Sequence, residues 1–183
     1  MKSTVTYIGV WLAATGIAAA LAFATPTETR VMGQLPGFMA QTLARRPMTV
    51  PQDLPSDRTL ALITFNRTQK EHAEAWIEGM HLRQDRSIAW LRMPVVNDPG
   101  TDQGRDEIQS RLLGRYPLDD ERANMLPVFT NRENFVRAAG LRGTEQVVAL
   151  IVNRRGEVLA RAEGRFEPGK AASLRETLQA RSY

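Results

Sequence analysis

Side chains that could carry acid–base or metal chemistry are scarce in this sequence. The 183-residue chain has two histidines, His72 and His81, and no cysteine. Nine residues along one predicted helix put the two imidazoles on opposite sides of its axis, because each residue turns an α-helix by about 100°. They cannot share a metal ion, and we interpret both as surface side chains.

Carboxylates occur in two clusters, and neither has the spacing of a metal site. One cluster repeats every four residues and the other is consecutive: Asp98, Asp102 and Asp106, then Asp119, Asp120 and Glu121. A calcium loop needs oxygen ligands at close alternating positions and a bidentate carboxylate at its end. The chain also lacks a glycine-rich phosphate loop and a G-x-S-x-G nucleophile motif. We therefore predict no metal, no cofactor and no catalytic residue, and interpret the acidic clusters as solvated loops or helix caps.

The basic character of the chain comes from arginine. The chain has 24 basic and 20 acidic side chains, a formal net charge of +4, and its only lysines are Lys2, Lys70 and Lys170. No dense run of basic residues could track a phosphate backbone. The sequence therefore predicts no nucleic-acid partner.

Residues 1–24 have the composition of a signal peptide. Lys2 precedes an uncharged apolar stretch, Val5–Phe23, and an Ala-Phe-Ala sequence supplies the small residues that a signal peptidase reads. Cleavage would make Thr25 the new N-terminus. The alternative is an uncleaved inner-membrane anchor, because about 19 apolar residues nearly span a bilayer. Either way we predict a periplasmic or secreted protein that uses no disulfide, although an oxidising compartment permits them.

Residues 25–57 show little periodicity and hold five prolines, which disfavour long helices. The prolines are Pro26, Pro36, Pro47, Pro51 and Pro55. We interpret the segment as a lead-in arm before a domain at residues 58–183. Within the arm, Leu35–Ala44 could form a short amphipathic helical turn that packs Phe38 and Leu43 onto the domain.

Apolar runs rich in β-forming residues predict the strands of that domain. The runs are Thr59–Asn66, Ser87–Val96, Leu126–Thr130, Gln146–Asn153 and Glu157–Gly164. The first, second and fourth runs are predicted to be inner strands of the sheet. An Arg-Arg-Gly sequence at 154–156 predicts that the last two strands form a hairpin.

Helices are predicted between these strands. Thr68 with Glu71, and Thr130 with Glu133, have the spacing of capping boxes at helix starts. A further helix is predicted at Asp102–Arg115, whereas 116–125 is expected to be a loop. Gly140 should end the helix that carries Phe135, Val136 and Ala139, and Pro168 should begin the last helix, with Ala171, Leu174 and Leu178 on its inner face.

This order of elements predicts an α/β fold with a mixed sheet covered on both faces. Phe135–Leu178 resembles the C-terminal half of redoxin-type thioredoxin-like domains, with Gly140, Gly143 and Gly156 in step. The stretch FNRTQKEHAEAWIEGM, residues 65–80, resembles exported YtfJ-like proteins, which are thioredoxin-like bacterial periplasmic proteins. The matching positions are Arg67, Thr68, Lys70, Glu71, Ile77 and Glu78. The resemblance implies a thioredoxin-like fold for the domain.

The chain departs from catalytic relatives at two positions. Those relatives carry a cysteine pair, or one peroxidatic cysteine, at the start of the first helix, where this chain has residues 67–72, Arg-Thr-Gln-Lys-Glu-His. They also carry a cis-proline after a Gly-Thr pair, where this chain has Glu145. No side chain here can perform thiol–disulfide exchange. We therefore expect no thiol-dependent oxidoreductase activity.

Two classes of function follow from a thioredoxin-like domain without cysteine. The first is a redox-inactive binding or assembly module with a protein partner in the cell envelope. The alternative is an enzyme with a non-thiol mechanism, or one that uses a partner's thiol, and a weaker one is a relationship to mitochondrial-type ATPase assembly factors. A helix N-terminus favours anions, although Thr68 and Glu71 could satisfy its N–H groups themselves. We name the candidate partner-docking face by its members: Arg67, Thr68, Lys70, Glu71, Thr144, Glu145 and Gln146.

Overall fold

The computed structural model describes residues 31–180. Seven strands lie in this range: β1 (Phe38–Gln41), β2 (Pro47–Val50), β3 (Thr59–Thr64), β4 (Trp90–Asn97), β5 (Val128–Thr130), β6 (Val148–Val152) and β7 (Val158–Glu163). Five α-helices accompany them: α1 (Lys70–Gly79), α2 (Asp102–Arg115), α3 (Asp119–Ala123), α4 (Arg132–Ala138) and α5 (Pro168–Gln179). A 3-10 turn at Arg67–Gln69 leads into α1. The elements predicted from Thr59 onward are thus largely confirmed.

The central sheet has five strands in the order β5-β4-β3-β6-β7. The β3–β4 and β4–β5 pairs are parallel, whereas β3–β6 and β6–β7 are antiparallel. Every residue of β3 and of β6 is buried, as expected for strands covered on both faces. The mixed sheet with the three predicted inner strands is therefore confirmed, and the carboxyl ends of β3 and β4 lie side by side.

Helices α1 and α5 cover one face of this sheet. Trp76 and Ile77 of α1 and Leu174 of α5 belong to one buried cluster with Leu62 and Ile151 of the strands. The Trp76 indole N–H donates to the Gly164 carbonyl oxygen over 3.0 Å, which ties α1 to the end of β7. This face positions the start of α1 at the carboxyl end of β3.

The other face is covered by α4 and by the segment that precedes β3. Phe135 of α4 is fully buried, and Met48 and Val50 of β2 join its cluster. Buried and exposed residues alternate along β2, a strand pattern. The helical turn predicted at Leu35–Ala44 is wrong, because this stretch includes β1, which pairs with β2 in an antiparallel hairpin. Phe38 is half-buried against this cluster, and Leu43 is buried in a separate cluster with Tyr116 and Met125, so both pack onto the domain as expected.

Three further local predictions are corrected. Thr68 and Glu71 do not form a capping box, since the Thr68 hydroxyl donates to Asn66 Oδ1 over 2.7 Å and α1 begins without a side-chain cap. Helix α4 is capped by the Asn131 side chain, which accepts from the Asn134 N–H, rather than by Thr130. Residues 119–123 form α3 where a loop was expected, with three acidic residues in the first turn to favour a helix start.

The predicted signal segment, with its cleavage point after residue 24, lies outside the described residues. None of the helices among residues 31–180 has the length and apolar composition of a membrane-spanning segment.

Candidate functional site

Gln69 occupies the junction where β3 passes into α1. Its Oε1 accepts from the Phe65 backbone N–H over 2.6 Å, and its Nε2 donates to the Thr144 carbonyl oxygen over 2.7 Å. The side chain is 2% exposed. Gln69 therefore links the end of β3, the start of α1 and the loop before β6. The sequence alone did not predict this linking role.

The residues of the candidate docking face lie on both sides of the Gln69 link. Arg67, Thr68, Lys70 and Glu71 are exposed at the start of α1, and Glu145 is exposed in the facing loop, with Gln146 also exposed and Thr144 half-buried. The Gln69–Thr144 hydrogen bond brings these two segments together. Their role in binding a partner stays a prediction.

A cavity of about 280 Å³ opens beside this face, at the carboxyl ends of β3 and β4. Its floor includes Phe65 and Val95, and Ile108 and Leu112 of α2 form an apolar wall. Arg67 and Lys70 are shared between the cavity and the docking face, whereas the other docking residues do not line it.

The cavity is lined by six cationic side chains and, within the described chain, by no carboxylate. The cationic residues are Arg67, Lys70, Arg92, Arg111, Arg115 and Arg132. Arg92 Nη1 lies 3.5 Å from Glu74 Oε2. The other five have no carboxylate oxygen within 4.0 Å among residues 31–180. The cavity therefore has an excess of positive charge.

Backbone carbonyls accept hydrogen bonds from three of these guanidinium groups, and Arg111 Nε donates to the Glu107 carbonyl oxygen over 3.2 Å. Arg92 is 4% exposed, and its Nη2 donates to the Lys70 carbonyl oxygen over 3.2 Å. Arg132 Nε donates to the Val95 carbonyl oxygen over 3.1 Å. A guanidinium has five donors, so each keeps N–H groups for a further acceptor.

The ring of Tyr116 packs against two of the cations. Lys70 Nζ lies 5.3 Å and Arg92 Cζ 5.1 Å from its centroid, within the range of cation–π contacts. Burial raises the pKa of the Tyr116 phenol, and the nearby Arg92 lowers it by a smaller amount. The phenol is therefore neutral at physiological pH and adds no negative charge to the cavity.

Sequence reasoning missed most of this cavity. Arg111 and Arg115 are four residues apart and so share one side of α2, which was visible in the sequence. Arg92 was a second indication, because arginine is rarely fully buried in a strand without a partner. Their convergence with Arg132 depends on tertiary structure.

The acidic clusters and the histidines take structural or surface positions. Asp98 accepts two hydrogen bonds from the Arg105 guanidinium, over 3.0 and 2.9 Å, and these bonds, with that from the Gly100 N–H, lower the pKa of its carboxyl. Asp102 lies 2.9 Å from the same guanidinium. His72 is half-buried and His81 exposed. Within the described range, no group of three or more His, Asp or Glu side chains could hold a metal ion.

Comparison with solved structures identifies the fold. BsSco, a member of the Sco family of cytochrome c oxidase assembly proteins, superposes with a TM-score of 0.54 at 14% identity, covering 81% of this chain and 95% of that one. The chain has a thioredoxin-like fold. The pneumococcal exposed lipoprotein thioredoxin Etrx1 from Streptococcus pneumoniae matches this fold with a TM-score of 0.51 at 11% identity, over 79% and 98% of the two chains. Thiol peroxidase from Chromobacterium violaceum gives 0.52 at 14% identity, over 82% and 86%.

Sequence comparison adds no family, since no family model and no curated protein matches the chain. In catalytic members of the thioredoxin-like fold, a reactive cysteine stands at the start of the first helix. This chain has Arg67, Thr68 and Gln69 there, and no cysteine anywhere in its sequence. The fold is therefore present without the thiol on which its usual chemistry depends.

Proposed function

We propose that the protein is an exported, redox-inactive thioredoxin-like module that binds a protein partner in the cell envelope through the docking face. The observation that carries the proposal is Gln69. Its amide bridges the helix start and the Thr144 loop, so the two sides of the face are held together without any thiol.

Thiol chemistry requires a thiolate that attacks sulfur, and the chain has no cysteine to supply one. The exposed polar side chains and backbone groups of the face do not depend on that thiol. A binding role therefore fits the residues better than catalysis of disulfide exchange does.

Export is part of the proposal. The composition of residues 1–24 and the resemblance of residues 65–80 to YtfJ-like periplasmic proteins both support it. Mass spectrometry of the mature protein should find Thr25 at the N-terminus. Recovery of the intact chain from the membrane fraction would support an anchored protein instead.

Charge reversal tests the docking face. The double variant Arg67→Glu with Glu145→Lys reverses one charge on each side of the Gln69 link and leaves the net charge unchanged. We expect partner capture from the envelope fraction to fall at least tenfold, while the melting temperature stays within a few degrees, because surface substitutions are worth about 0.5 kcal/mol or less.

The matched control is Arg86→Glu with Glu176→Lys, which makes the same charge changes at two exposed positions outside the face. It should capture the partner as the wild type does. Equal capture by wild type, variant and control would mean that the partner binds to another surface of the protein. Turnover of a disulfide substrate by the pure protein would contradict the redox-inactive part of the proposal.

A further inference from the structure

We propose that the cationic cavity beside the start of α1 binds a small organic polyanion, with phosphate or carboxylate groups. This inference goes beyond the proposed function, because the occupant is a small molecule inside a cavity and not a protein on the docking face.

The distribution of charge around the cavity favours an anionic ligand. Cationic side chains reach the cavity from five separate elements: the 3-10 turn (Arg67), α1 (Lys70), β4 (Arg92), α2 (Arg111 and Arg115) and α4 (Arg132). Like charges that line one cavity repel each other, most strongly where water is partly excluded. Glu74 near Arg92 is the one carboxylate within 4.0 Å of any of them among residues 31–180. An anion with two or more charges would relieve this repulsion.

The buried guanidinium of Arg92 supplies fixed hydrogen-bond donors for such a ligand. Arg92 is 4% exposed, and its hydrogen bond to the Lys70 carbonyl oxygen and its contact with Glu74 fix its position at the cavity. Arginine presents a planar set of donors that matches a carboxylate or a phosphate. Arg92 therefore forms a preorganised base for the site, whereas Arg111 and Arg115 supply charge from the facing helix.

The size of the cavity limits the ligand. A volume of about 280 Å³ is near the lower end of the range for small-molecule sites. Val95 in the floor and Ile108 and Leu112 in the wall add apolar surface, which suits an organic anion better than an inorganic one. The cavity also lies outside the carboxyl ends of two parallel strands, where ligands commonly bind in open α/β sheets.

Titration calorimetry on the full chain at constant ionic strength tests this proposal. The probes are citrate for a polycarboxylate, pyrophosphate for a polyphosphate, phenyl phosphate for an anion with an apolar group, and acetate as a monovalent reference. We expect one-to-one binding of at least one of the first three probes and at least tenfold weaker binding of acetate. The stronger of citrate and pyrophosphate identifies the charged group.

Variants locate the binding. Arg111→Gln with Arg115→Gln removes two cavity charges without removing a side-chain ion pair formed among the described residues, and should weaken binding at least tenfold. The control, Arg137→Gln with Arg165→Gln, removes two exposed charges outside the cavity and should change the affinity less than twofold. Both pairs leave the docking face intact, so a loss here is distinguishable from a failure of the proposed function.

Three results would overturn the proposal. The first is no binding of any multivalent probe up to roughly 10 mM, which is weaker than a specific site of this charge should give. The second is equal weakening in both double variants, which would show an effect of net charge alone. The third is tight binding of a polyglutamate peptide without binding of the small probes, which would assign the cations to a protein segment.

Discussion

Gln69 lies at the junction between β3 and α1, where catalytic proteins of this fold carry a reactive cysteine. Both groups of its amide are used inside the protein, one on the Phe65 N–H and one on the Thr144 carbonyl oxygen. A residue that could accept and donate at once was needed, because the two backbone groups are of opposite type. The amide therefore acts as a structural link at this position.

Replacing Gln69 by alanine should destabilise the protein. The Phe65 N–H would lose its acceptor in a buried position, which costs about 1–3 kcal/mol. Urea unfolding followed by circular dichroism would measure the free energy of unfolding. Gln52→Ala is the control, since Gln52 is exposed, and it should change that free energy by about 0.5 kcal/mol or less. If the two variants were equally stable, Gln69 would not be a stabilising link between Phe65 and Thr144.

The candidate site was predicted from the sequence only in its outer part. Arg67 and Lys70 were found because they follow a predicted strand, and the Thr144 loop because the resemblance placed it beside them. Gln69 was missed because a glutamine in a helix start has no spacing that marks a long-range hydrogen bond. Arg92 and Arg132 were missed because forty residues separate them along the chain while the parallel β4–β5 pair brings their segments together.

At the scale of elements, the segment before β1 is held by backbone hydrogen bonds to two distant parts of the fold. The Met32 N–H donates to Val158 over 2.8 Å and the Gln34 N–H to Ala138 over 2.8 Å. The segment passes so close to the end of α4 that a Cβ on Gly140 would collide with the Met32 carbonyl oxygen. Gly140 also has φ of +69°, in the left-handed region that favours glycine.

Two glycine-to-alanine substitutions should therefore have opposite effects. Gly140→Ala should lower the free energy of unfolding by at least about 1–2 kcal/mol, from the left-handed backbone alone. Gly114→Ala, in α2 with no atom near the added Cβ, should raise it by roughly 0.5–1 kcal/mol. Thermal unfolding of both variants beside the wild type gives the comparison. A stabilising Gly140→Ala would mean that the segment does not pack as described.

The elements that the sequence predicted best are those whose pattern is set by burial. β3 and β6 are buried throughout because both faces are covered, and the apolar runs at their centres predict them directly. The β1–β2 hairpin was missed because two four-residue strands with a proline in one of them leave too short an alternation. The capping predictions failed because the Thr68 hydroxyl bonds to the Asn66 side chain, and because Asn131 rather than Thr130 takes the N-cap position of α4.

At the scale of the molecule, residues 31–57 contribute directly to the core. Five buried apolar side chains come from this range: Leu35, Leu43, Met48, Val50 and Leu54. Each is worth about 1.5–3 kcal/mol when fully buried. Their sum is comparable with the whole stability of a typical domain, about 5–15 kcal/mol.

A chain that begins at Arg58 should therefore fail to fold cooperatively. A chain that begins at Val31 keeps all five side chains and is the matched control. Near-ultraviolet circular dichroism and thermal unfolding would report fixed tertiary packing in the second chain only. Cooperative unfolding of the shorter chain would support the domain boundary predicted between residues 57 and 58.

None of the fourteen residues of helix α2 is buried, whereas α1, α4 and α5 each bury at least one side chain. Its backbone hydrogen bonds are therefore protected by few tertiary contacts, and local opening of such a segment needs much less free energy than global unfolding. Its amide protons should exchange with deuterated solvent well before those of β6. Arg111 and Arg115 belong to α2, so the wall that α2 forms is the side of the cationic cavity that opens most readily. A ligand that contacts both this wall and Arg92 would slow the exchange of the α2 amide protons.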